Sequence, residues 1–393
     1  MKKMLMVYPN NFLQGAMGTN NRVMQLVRIF KGEGYSIDYF SYINFSPDVS
    51  FENFEERNAE EKLIDNLYLY DFSSQQTKGT GALKKIKVRL DRMCGKVEKE
   101  MLLDWAPEGA RDKFKNILTK KQYDVIIIFY TYLANLLKGI QTTAKKVYFM
   151  EDSMFLQQYS WQKDGSTSIR LGKLMDEEIQ RIKYFDEIFC ISNDEKIFYE
   201  KICDRKMFFF PHLLPDEFKR TVKPVENRRW DLFFIGFDNP FNVEGMKWFF
   251  EEVYPLLPKT IRILLVGTAT KHMEDAYENV DKILFVPDLN EIFEEVKISI
   301  CPMFHGTGMK IKVVEAMAKG LPVVCNERGV DGLPDKTKSG CLVTDDKYEF
   351  ADYIMRLLND TQYYREIADN IFAYYEEIFD KDRYIRLFNK CMR

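Results

Sequence analysis

Short apolar runs alternate with stretches of helical periodicity along the first half of the chain. The runs that read as β-strands are residues 4–8, 37–42, 125–129, 146–150, 187–192 and 207–210. Between them, apolar positions recur at helical spacing over residues 20–31 and 133–141. Strands that alternate with helices are typical of βαβ units, so this half is predicted to form a mostly parallel sheet.

A second series of runs begins after a polar stretch at residues 219–229, which has the composition of a linker. Because the alternation restarts, the chain is predicted to hold two doubly wound α/β domains. Ligands of such sheets bind beyond the carboxyl ends of the strands, so functional residues are expected directly after strands. The second set of strands is predicted at residues 230–235, 261–266, 282–285, 298–301, 323–325 and 341–343, with helices over 243–257 and 309–319.

Length and composition agree with two soluble domains. The chain has 393 residues, 46% of them hydrophobic and 30% charged, and its net charge of −3 gives no basis for a nucleic-acid surface. No apolar run approaches the ~20 residues that span a bilayer, and residues 1–8 are too short for a signal peptide. The 7 cysteines are scattered without a CxxC pair, which indicates reduced thiols in a cytoplasmic protein.

The stretch PMFHGTGMKIKVVEAMAKGLPVV, residues 302–324, carries the strongest chemical signal. A glycine turn at residues 306–308 precedes a helix predicted to start near residue 309, with Lys310 and Lys312 in its first turn. Cations there are disfavoured by ~0.3–1 kcal/mol each, so they point to a bound anion such as phosphate. Glu315 shares a helix face with Lys312 and suits the vicinal hydroxyls of a ribose. An ordinary amphipathic helix with solvated lysines accounts for the same residues equally well.

Within this stretch, GTGMKIKVVEAMAKGLPVV resembles the donor-site helix of retaining glycosyltransferases of family four. These enzymes have the GT-B fold, in which two Rossmann-like αβα domains face each other across a cleft. Further segments that resemble the family, in the right order, are WDLFFIGFDNPFNVEGMKWFFEEVYPLL, RILLVGT and DKILFVPDLNEIF. They correspond to the first strand, loop and helix of the donor domain, to its second strand, and to the loop near the nucleobase.

The resemblance implies a nucleoside-diphosphate sugar as donor, with UDP or GDP favoured, and no cofactor. The resemblance implies three catalytic-site residues. Lys312 would contact the diphosphate, and Glu315 would hold the ribose. Lys310 matches a position that is often basic in these enzymes. Many family members carry a second acid eight positions before the ribose glutamate, where this chain has Thr307. His305 therefore either replaces that contact or only shapes the loop. The implied donor contacts are His305, Gly306, Thr307, Gly308, Gly236, Val286 and Leu289.

The N-terminal half resembles the family more weakly. A loop after the first strand leads to Gly18, Thr19 and Asn20 at the start of a helix. In the family this loop contacts donor phosphate or acceptor. Asp152 ends a strand where the family often has a His-Asp pair, but Glu151 stands in the place of the histidine. A catalytic histidine is therefore not carried over.

The predicted organisation is an acceptor-side domain over residues 1–215, a donor-binding domain over 220–374, and a last segment, 375–393, that crosses back onto the first domain. The resemblance implies transfer of a hexose-like sugar, with retention, to a glycan, glycolipid or protein-linked sugar in bacterial surface polysaccharide or glycoconjugate assembly. No metal is expected, because no Asp-x-Asp follows a predicted strand. Two alternatives stay open, a nucleotide-sugar epimerase of the same fold and a non-catalytic partner subunit of a glycosyltransferase complex.

Residues 83–99 are basic and amphipathic. Apolar side chains follow helical spacing there, and lysines and arginines fill most of the remaining positions. Such a surface suits anionic lipid at the inner face of the plasma membrane, or a lipid-linked acceptor. A surface helix packed on its own domain is the simpler interpretation.

Liposome sedimentation tests the membrane interpretation of residues 83–99. If it holds, the protein should sediment only with anionic vesicles, because each basic residue near such a surface contributes about 1 kcal/mol. Binding should fade as salt screens the charges beyond ~10 Å at 0.1 M. Changing Lys84, Lys85 and Lys87 to Glu should release the protein without altering nucleotide binding. If the wild-type protein stays in the supernatant with anionic vesicles at low salt, the membrane interpretation is excluded. The surface helix packed on its own domain is then the interpretation that remains.

Overall fold

The computed structural model describes residues 2–14, 18–47, 49–73, 100–161, 170–216, 218, 220–221, 223–273, 277–286 and 288–393. The basic segment at residues 83–99 lies outside the described residues. The chain forms two compact units. The first comprises Met1–Ile191, Glu195–Phe210 and Ile385–Arg393, and the second comprises Ser192–Asp194 and Pro211–Tyr384.

The first unit is built on a 7-stranded sheet whose paired strands are all parallel. The strands lie in the order β3-β2-β1-β4-β5-β6-β7, so the order reverses between β1 and β4. Ligands of doubly wound sheets bind beyond the carboxyl ends of strands at such a reversal. The strands are β1 (Lys3–Val7), β2 (Ser36–Ile43), β3 (Asn66–Asp71), β4 (Val125–Phe129), β5 (Lys145–Met150), β6 (Glu187–Cys190) and β7 (Phe208–Phe209).

The central strands of this sheet are continuous apolar runs because helices cover a parallel sheet on both faces. All positions of β4, VIIIF, are buried. The helix predicted over residues 133–141 is instead a 3₁₀ segment, Thr131–Leu137, which is buried throughout and therefore lacks an amphipathic stripe. The helices are α1 (Gly18–Gly32), α2 (Phe54–Glu61), α3 (Glu108–Lys120), α4 (Met154–Trp161), α5 (Leu171–Ile182) and α6 (Asn193–Cys203).

The second unit repeats the same topology on a 6-stranded parallel sheet. Its order is β10-β9-β8-β11-β12-β13, so the reversal falls between β8 and β11. The prediction of two doubly wound α/β units with parallel sheets is confirmed. The strands are β8 (Trp230–Ile235), β9 (Ile263–Val266), β10 (Val280–Ile283), β11 (Val296–Cys301), β12 (Val323–Cys325) and β13 (Leu342–Val343).

The helix predicted over residues 243–257 begins earlier, at Pro240, and its last turns are a π-helical segment, Phe249–Val253, and a 3₁₀ turn, Tyr254–Leu256. Within the described ranges, no helix has the length and apolar character needed to cross a membrane. In the last helix the chain passes from the second unit to the first, where Phe388 packs on Phe30 with ring centroids 4.5 Å apart. The helices are α7 (Pro240–Trp248), α8 (Leu289–Glu295), α9 (Ile311–Ala318), α10 (Lys347–Asn359), α11 (Thr361–Ile378) and α12 (Lys381–Cys391).

Helix α7 lies against the backbone that leaves β11. At Gly245 an added Cβ would overlap the carbonyl oxygen of Pro302, so only glycine allows this approach. One turn further on, the Trp248 ring packs edge-on against Phe304, with centroids 4.9 Å apart. These contacts fix the loop after β11 against α7.

Substitution of Gly245 tests this packing. We expect Gly245→Ala to push α7 off the loop and lower the free energy of unfolding by about 1–3 kcal/mol, as overpacking does in other cores. Urea unfolding followed by tryptophan fluorescence measures the change, because Trp230 and Trp248 report on the second unit.

The control is Gly172→Ala in α5, where an added Cβ meets nothing within 4 Å. There the substitution should stabilise the helix by ~0.5–1 kcal/mol, since alanine loses less backbone entropy than glycine. Equal unfolding of wild type and Gly245→Ala would contradict the tight contact between α7 and the loop.

Candidate functional site

The loops that follow β8 and β11 meet at the strand-order reversal of the second sheet. The two strands pair in register, with Ile298 opposite Leu232, so their carboxyl ends lie side by side. β8 leads through Gly236 into α7, and β11 leads through the loop at residues 302–310 into α9. This is the position at which doubly wound sheets bind ligands.

Lys312, in the first turn of α9, reaches across to α7. Its Nζ donates to Oδ1 of Asn242 at 2.7 Å and lies 4.8 Å from the centroid of the Phe234 ring. The Asn242 amide in turn donates to the carbonyl of Phe237 at 2.9 Å. At Gly236 an added Cβ would lie 2.9 Å from the Asn242 side chain. The structure thus brings Lys312 and Gly236 together around Asn242.

Glu315 lies one turn further along α9 and is half-buried. Among the described residues, its carboxylate has no hydrogen-bond or ion-pair partner. Burial raises the pKa of Glu315 to about 7, and the nearby charge of Lys312 opposes that shift only in part. Burial likewise lowers the pKa of Lys312. The carboxylate is therefore an unused acceptor beside a fixed cation.

Lys310 does not lie in the first turn of the helix, and that prediction is wrong. α9 begins at Ile311, and Lys310 is the extended residue before it, with φ −84° and ψ 93°. Two glycines within the four preceding residues explain the late start, because both have φ in the left-handed region, 109° at Gly306 and 69° at Gly308.

The Lys310 side chain is 7% exposed and turns back onto this loop. Its Nζ donates to the carbonyls of Thr307 and Gly308, each at 3.1 Å. A buried ammonium needs such acceptors, since an unpaired buried charge is costly. In the structure, Lys310 therefore braces the glycine turn.

His305 lies on the exposed side of the same loop. Its Nδ1 is 2.7 Å from Oε2 of Glu244, and the side chains are 58% and 49% exposed. Sequence reasoning found neither Glu244 nor Asn242. No local pattern marks them, because both reach the loop only through the packing of α7 on it.

Val286 and Leu289 lie at the same sheet edge, after β10, which β9 separates from β8. Leu289 is the first residue of α8, whose N-cap Asp288 accepts from the backbone N–H of Asn290 at 2.9 Å. The side chain of Phe285, next to Val286, is 65% exposed. The structure places this segment along the sheet edge, two strands away from β8.

In the first unit, Gly18, Thr19 and Asn20 form the first turn of α1 after β1. The Asn20 side chain is buried and accepts a hydrogen bond from the Tyr8 hydroxyl at 2.8 Å. Asn20 therefore ties the helix to the end of β1, whereas Thr19 is partly accessible at the same edge.

A buried ion pair stands beside these residues. Nε of Arg22 donates to Oε1 of Glu151 at 2.7 Å, and its guanidinium also donates to the carbonyl of Phe210 at 2.8 Å. Burial raises the pKa of Glu151, and Arg22 opposes that shift. The residue in place of the family's histidine thus anchors α1, while the neighbouring Asp152 is half-buried.

The second-unit constellation is suited to an anion that carries hydroxyl groups. The backbone N–H groups of Ile311 and Lys312 that open α9, together with the Lys312 ammonium, attract negative charge, and the Glu315 carboxylate can accept from hydroxyls. Over the described ranges no group of three or more His, Cys, Asp or Glu side chains could hold a metal ion. Metal independence stays a prediction.

Comparison with known proteins gives a family match in the second unit. Residues 229–360, which include Gly236, Asn242, Lys312 and Glu315, match the model of the family described as glycosyl transferases group 1. The chain is also 23% identical over 304 residues to an uncharacterised 44.6 kDa protein in the cps region of Klebsiella pneumoniae, a match that covers 70% of this chain and 75% of that protein.

Solved structures of similar fold cover nearly the whole chain. Sucrose-phosphate synthase from Thermosynechococcus elongatus matches 99% of this chain and 98% of its own, with a TM-score of 0.66 and 15% identity. A S. aureus TarM variant with fondaparinux, alpha-GlcNAc-glycerol and UDP matches 100% of both chains, with a TM-score of 0.68 and 10% identity. HepE of Anabaena with UDP and glucose matches 99% of both, with a TM-score of 0.67 and 13% identity. The prediction of a GT-B fold is confirmed.

The pKa of Glu315 generates a stability prediction for the ligand-free protein. Because burial raises this pKa from 4.5 to about 7, ionisation of the carboxyl destabilises the folded state. The stability contributed by the neutral form is complete below pH 4.5 and is lost as the pH rises through about 7. Glu315→Gln should therefore change stability little near pH 4.5 and raise it at pH 8, by at most about 3 kcal/mol.

Urea unfolding at the two pH values measures this effect. The control is Glu349→Gln, because hydrogen bonds from Thr344 and Tyr353 lower the pKa of Glu349. A lowered pKa gives stability that is present at high pH, so the control variant should gain none at pH 8. A Glu315→Gln variant with the same gain at both pH values would contradict the buried-carboxylate account.

Proposed function

We propose that the second unit binds a nucleoside-diphosphate sugar and that the protein transfers this sugar to an acceptor. The observation that carries the proposal is the pairing of Lys312 with Glu315 at the strand-order reversal. One is a cation fixed by Asn242, and the other is a half-buried carboxylate without a partner in the described part of the chain. Such a pair matches a ligand that presents a diphosphate next to a diol.

The diphosphate would bind at the start of α9. Burial disfavours the charged form of Lys312 and lowers its pKa. The negative charge of the diphosphate would offset this effect and stabilise the ammonium. The backbone N–H groups of Ile311 and Lys312 open the helix and have no acceptor within it, whereas those of Val313 and Val314 donate to the carbonyl of Lys310. Lys310 would contribute indirectly, because it holds Thr307 and Gly308 in the turn that borders the phosphates.

The ribose would bind at Glu315. A carboxylate can accept from both vicinal hydroxyls, and a hydrogen bond to a charged group contributes ~1.5–3 kcal/mol. Ligand binding would thus give the carboxylate the partners that it lacks among the described residues. The base would then lie towards Val286 and Leu289, along the edge formed by β8, β9 and β10.

The comparisons support a glycosyltransferase in polysaccharide assembly. The matched family is named for glycosyl transfer, and its match covers the proposed donor site. TarM and HepE, which share the fold, are described with UDP, which favours UDP among the possible nucleotides. The Klebsiella relative belongs to a cps region, which favours a polysaccharide or glycoconjugate acceptor.

We infer that transfer proceeds with retention and without a covalent intermediate on the protein. The acceptor hydroxyl oxygen forms a bond to the anomeric carbon as the bond from that carbon to the diphosphate oxygen breaks. The hydroxyl proton passes to the leaving diphosphate on the same face of the sugar. Lys312 and the α9 amide groups stabilise the charge that develops on that diphosphate, which is the main contribution a site of this kind makes to catalysis.

Thermal shift with UDP, GDP, ADP and CDP, each with and without an attached sugar, tests the donor site. A ligand at 100 times its Kd stabilises a protein by about 2.7 kcal/mol. We expect such a shift with at least one nucleotide, and we expect Lys312→Ala to abolish most of it, because the principal cation for the diphosphate is lost.

The matched control is Lys338→Ala, at a lysine that is 77% exposed and pairs only loosely with Asp335 at 3.9 Å. That variant should keep the full shift. No shift with any nucleotide would favour a non-catalytic partner subunit. Conversion of the nucleotide sugar in the absence of acceptor would favour an epimerase.

A further inference from the structure

The pair formed by His305 and Glu244 borders the loop that the proposed donor site uses. α7 and the loop after β11 are held together at Gly245, next in sequence to Glu244. The edge-on contact of Trp248 with Phe304 lies one turn further on. Because packing holds both elements together, the backbones that carry His305 and Glu244 lie close, and Nδ1 of His305 is 2.7 Å from Oε2 of Glu244.

This pair has capacity for a ligand. The carboxylate of Glu244 has two oxygens, and only Oε2 contacts His305. A carboxylate that accepts from Nδ1–H of a histidine also fixes the ring, so Nε2 faces away from Glu244. Both side chains are about half exposed, and among the described residues neither the second oxygen of Glu244 nor Nε2 of His305 has a hydrogen-bond partner.

The glycine turn lies against α7, the helix that carries Glu244. An added Cβ at Gly306 would lie 3.6 Å from the Phe241 ring and 3.8 Å from Nζ of Lys310, so the side chains of Phe241 and Lys310 both lie against the turn. Thr307 offers a hydroxyl and no charge. Glu244 is thus the carboxylate that the structure brings to this turn, from a different element of the fold.

We propose that Glu244, oriented by His305, hydrogen-bonds hydroxyl groups of the donor sugar and so determines which sugar is accepted. This inference rests on the proposed function. Sugar hydroxyls donate well to a carboxylate, and a charge-assisted hydrogen bond is stronger than a neutral one. Glu244 would be the residue that contacts the sugar, and His305 a positioning residue that acts through it.

Paired binding measurements test the inference. The probes are the nucleotide sugar that gives the largest shift in the nucleotide screen and its bare nucleoside diphosphate. We expect Glu244→Ala to weaken the nucleotide sugar about 10-fold or more, the range for loss of a hydrogen bond to a charged group. The bare nucleoside diphosphate should bind within about 2-fold of wild type, because it lacks the sugar. Exposed ion pairs contribute little to stability, so the variant should fold.

Variants of His305 test whether this residue orients Glu244 or contacts the sugar itself. His305→Ala should weaken sugar discrimination less than Glu244→Ala does, and His305→Gln should restore part of it, because the amide can still donate to Glu244. The matched control is Glu252→Gln, at a glutamate that is 43% exposed and pairs with Lys347 at 2.6 Å in the same unit. It should leave both affinities unchanged.

Each outcome decides the matter. Equal losses for the nucleotide sugar and the bare diphosphate would make the pair a support of the loop and overturn the inference. Unchanged affinities in Glu244→Ala would overturn it too. In both cases wild type still binds nucleotide, so the proposed function stands. Wild type that binds no nucleotide would remove the proposed function itself.

Discussion

The parallel pairing of β8 with β11 is the constraint on which the candidate site depends. Residues far apart in the sequence meet there, as when Lys312 of α9 donates to Asn242 of α7. The contact also needs Gly245, because a side chain there would hold α7 away from the backbone that leaves β11. Strand order, register and one glycine together place the Lys312 ammonium at the carboxyl ends of β8 and β11.

The charged side chains near these strand ends differ in their hydrogen-bond partners, and the difference gives each a distinct role. Lys310 donates hydrogen bonds to two carbonyls of the glycine turn and stiffens it. Lys312 donates to a neutral amide, so its positive charge is not cancelled locally. Glu315 has no partner among the described residues, and its pKa of about 7 reflects that environment. A ligand with a diphosphate and a diol would provide partners for both the Lys312 ammonium and the Glu315 carboxylate.

The first unit uses a buried pair for the opposite purpose. Arg22 and Glu151 neutralise each other at 2.7 Å, and Arg22 also donates to the carbonyl of Phe210. Removing one partner of such a pair costs about 3–5 kcal/mol, because the other charge is left buried. Glu151 therefore belongs to the framework of the fold, whereas Thr19 and Asp152 at the same edge are partly accessible.

The sequence by itself determined the two parallel α/β units, since strands covered on both faces must be continuous apolar runs. It also located the 302–324 stretch, because glycines and cations before a helix are a local signal. Only the tertiary structure decided which side chains face that stretch. Asn242 and Glu244 come from α7, where nothing local marks them, and Lys310 turns inward because two left-handed glycines delay the helix. Local spacing encodes elements, whereas contacts between elements depend on packing across the sheet.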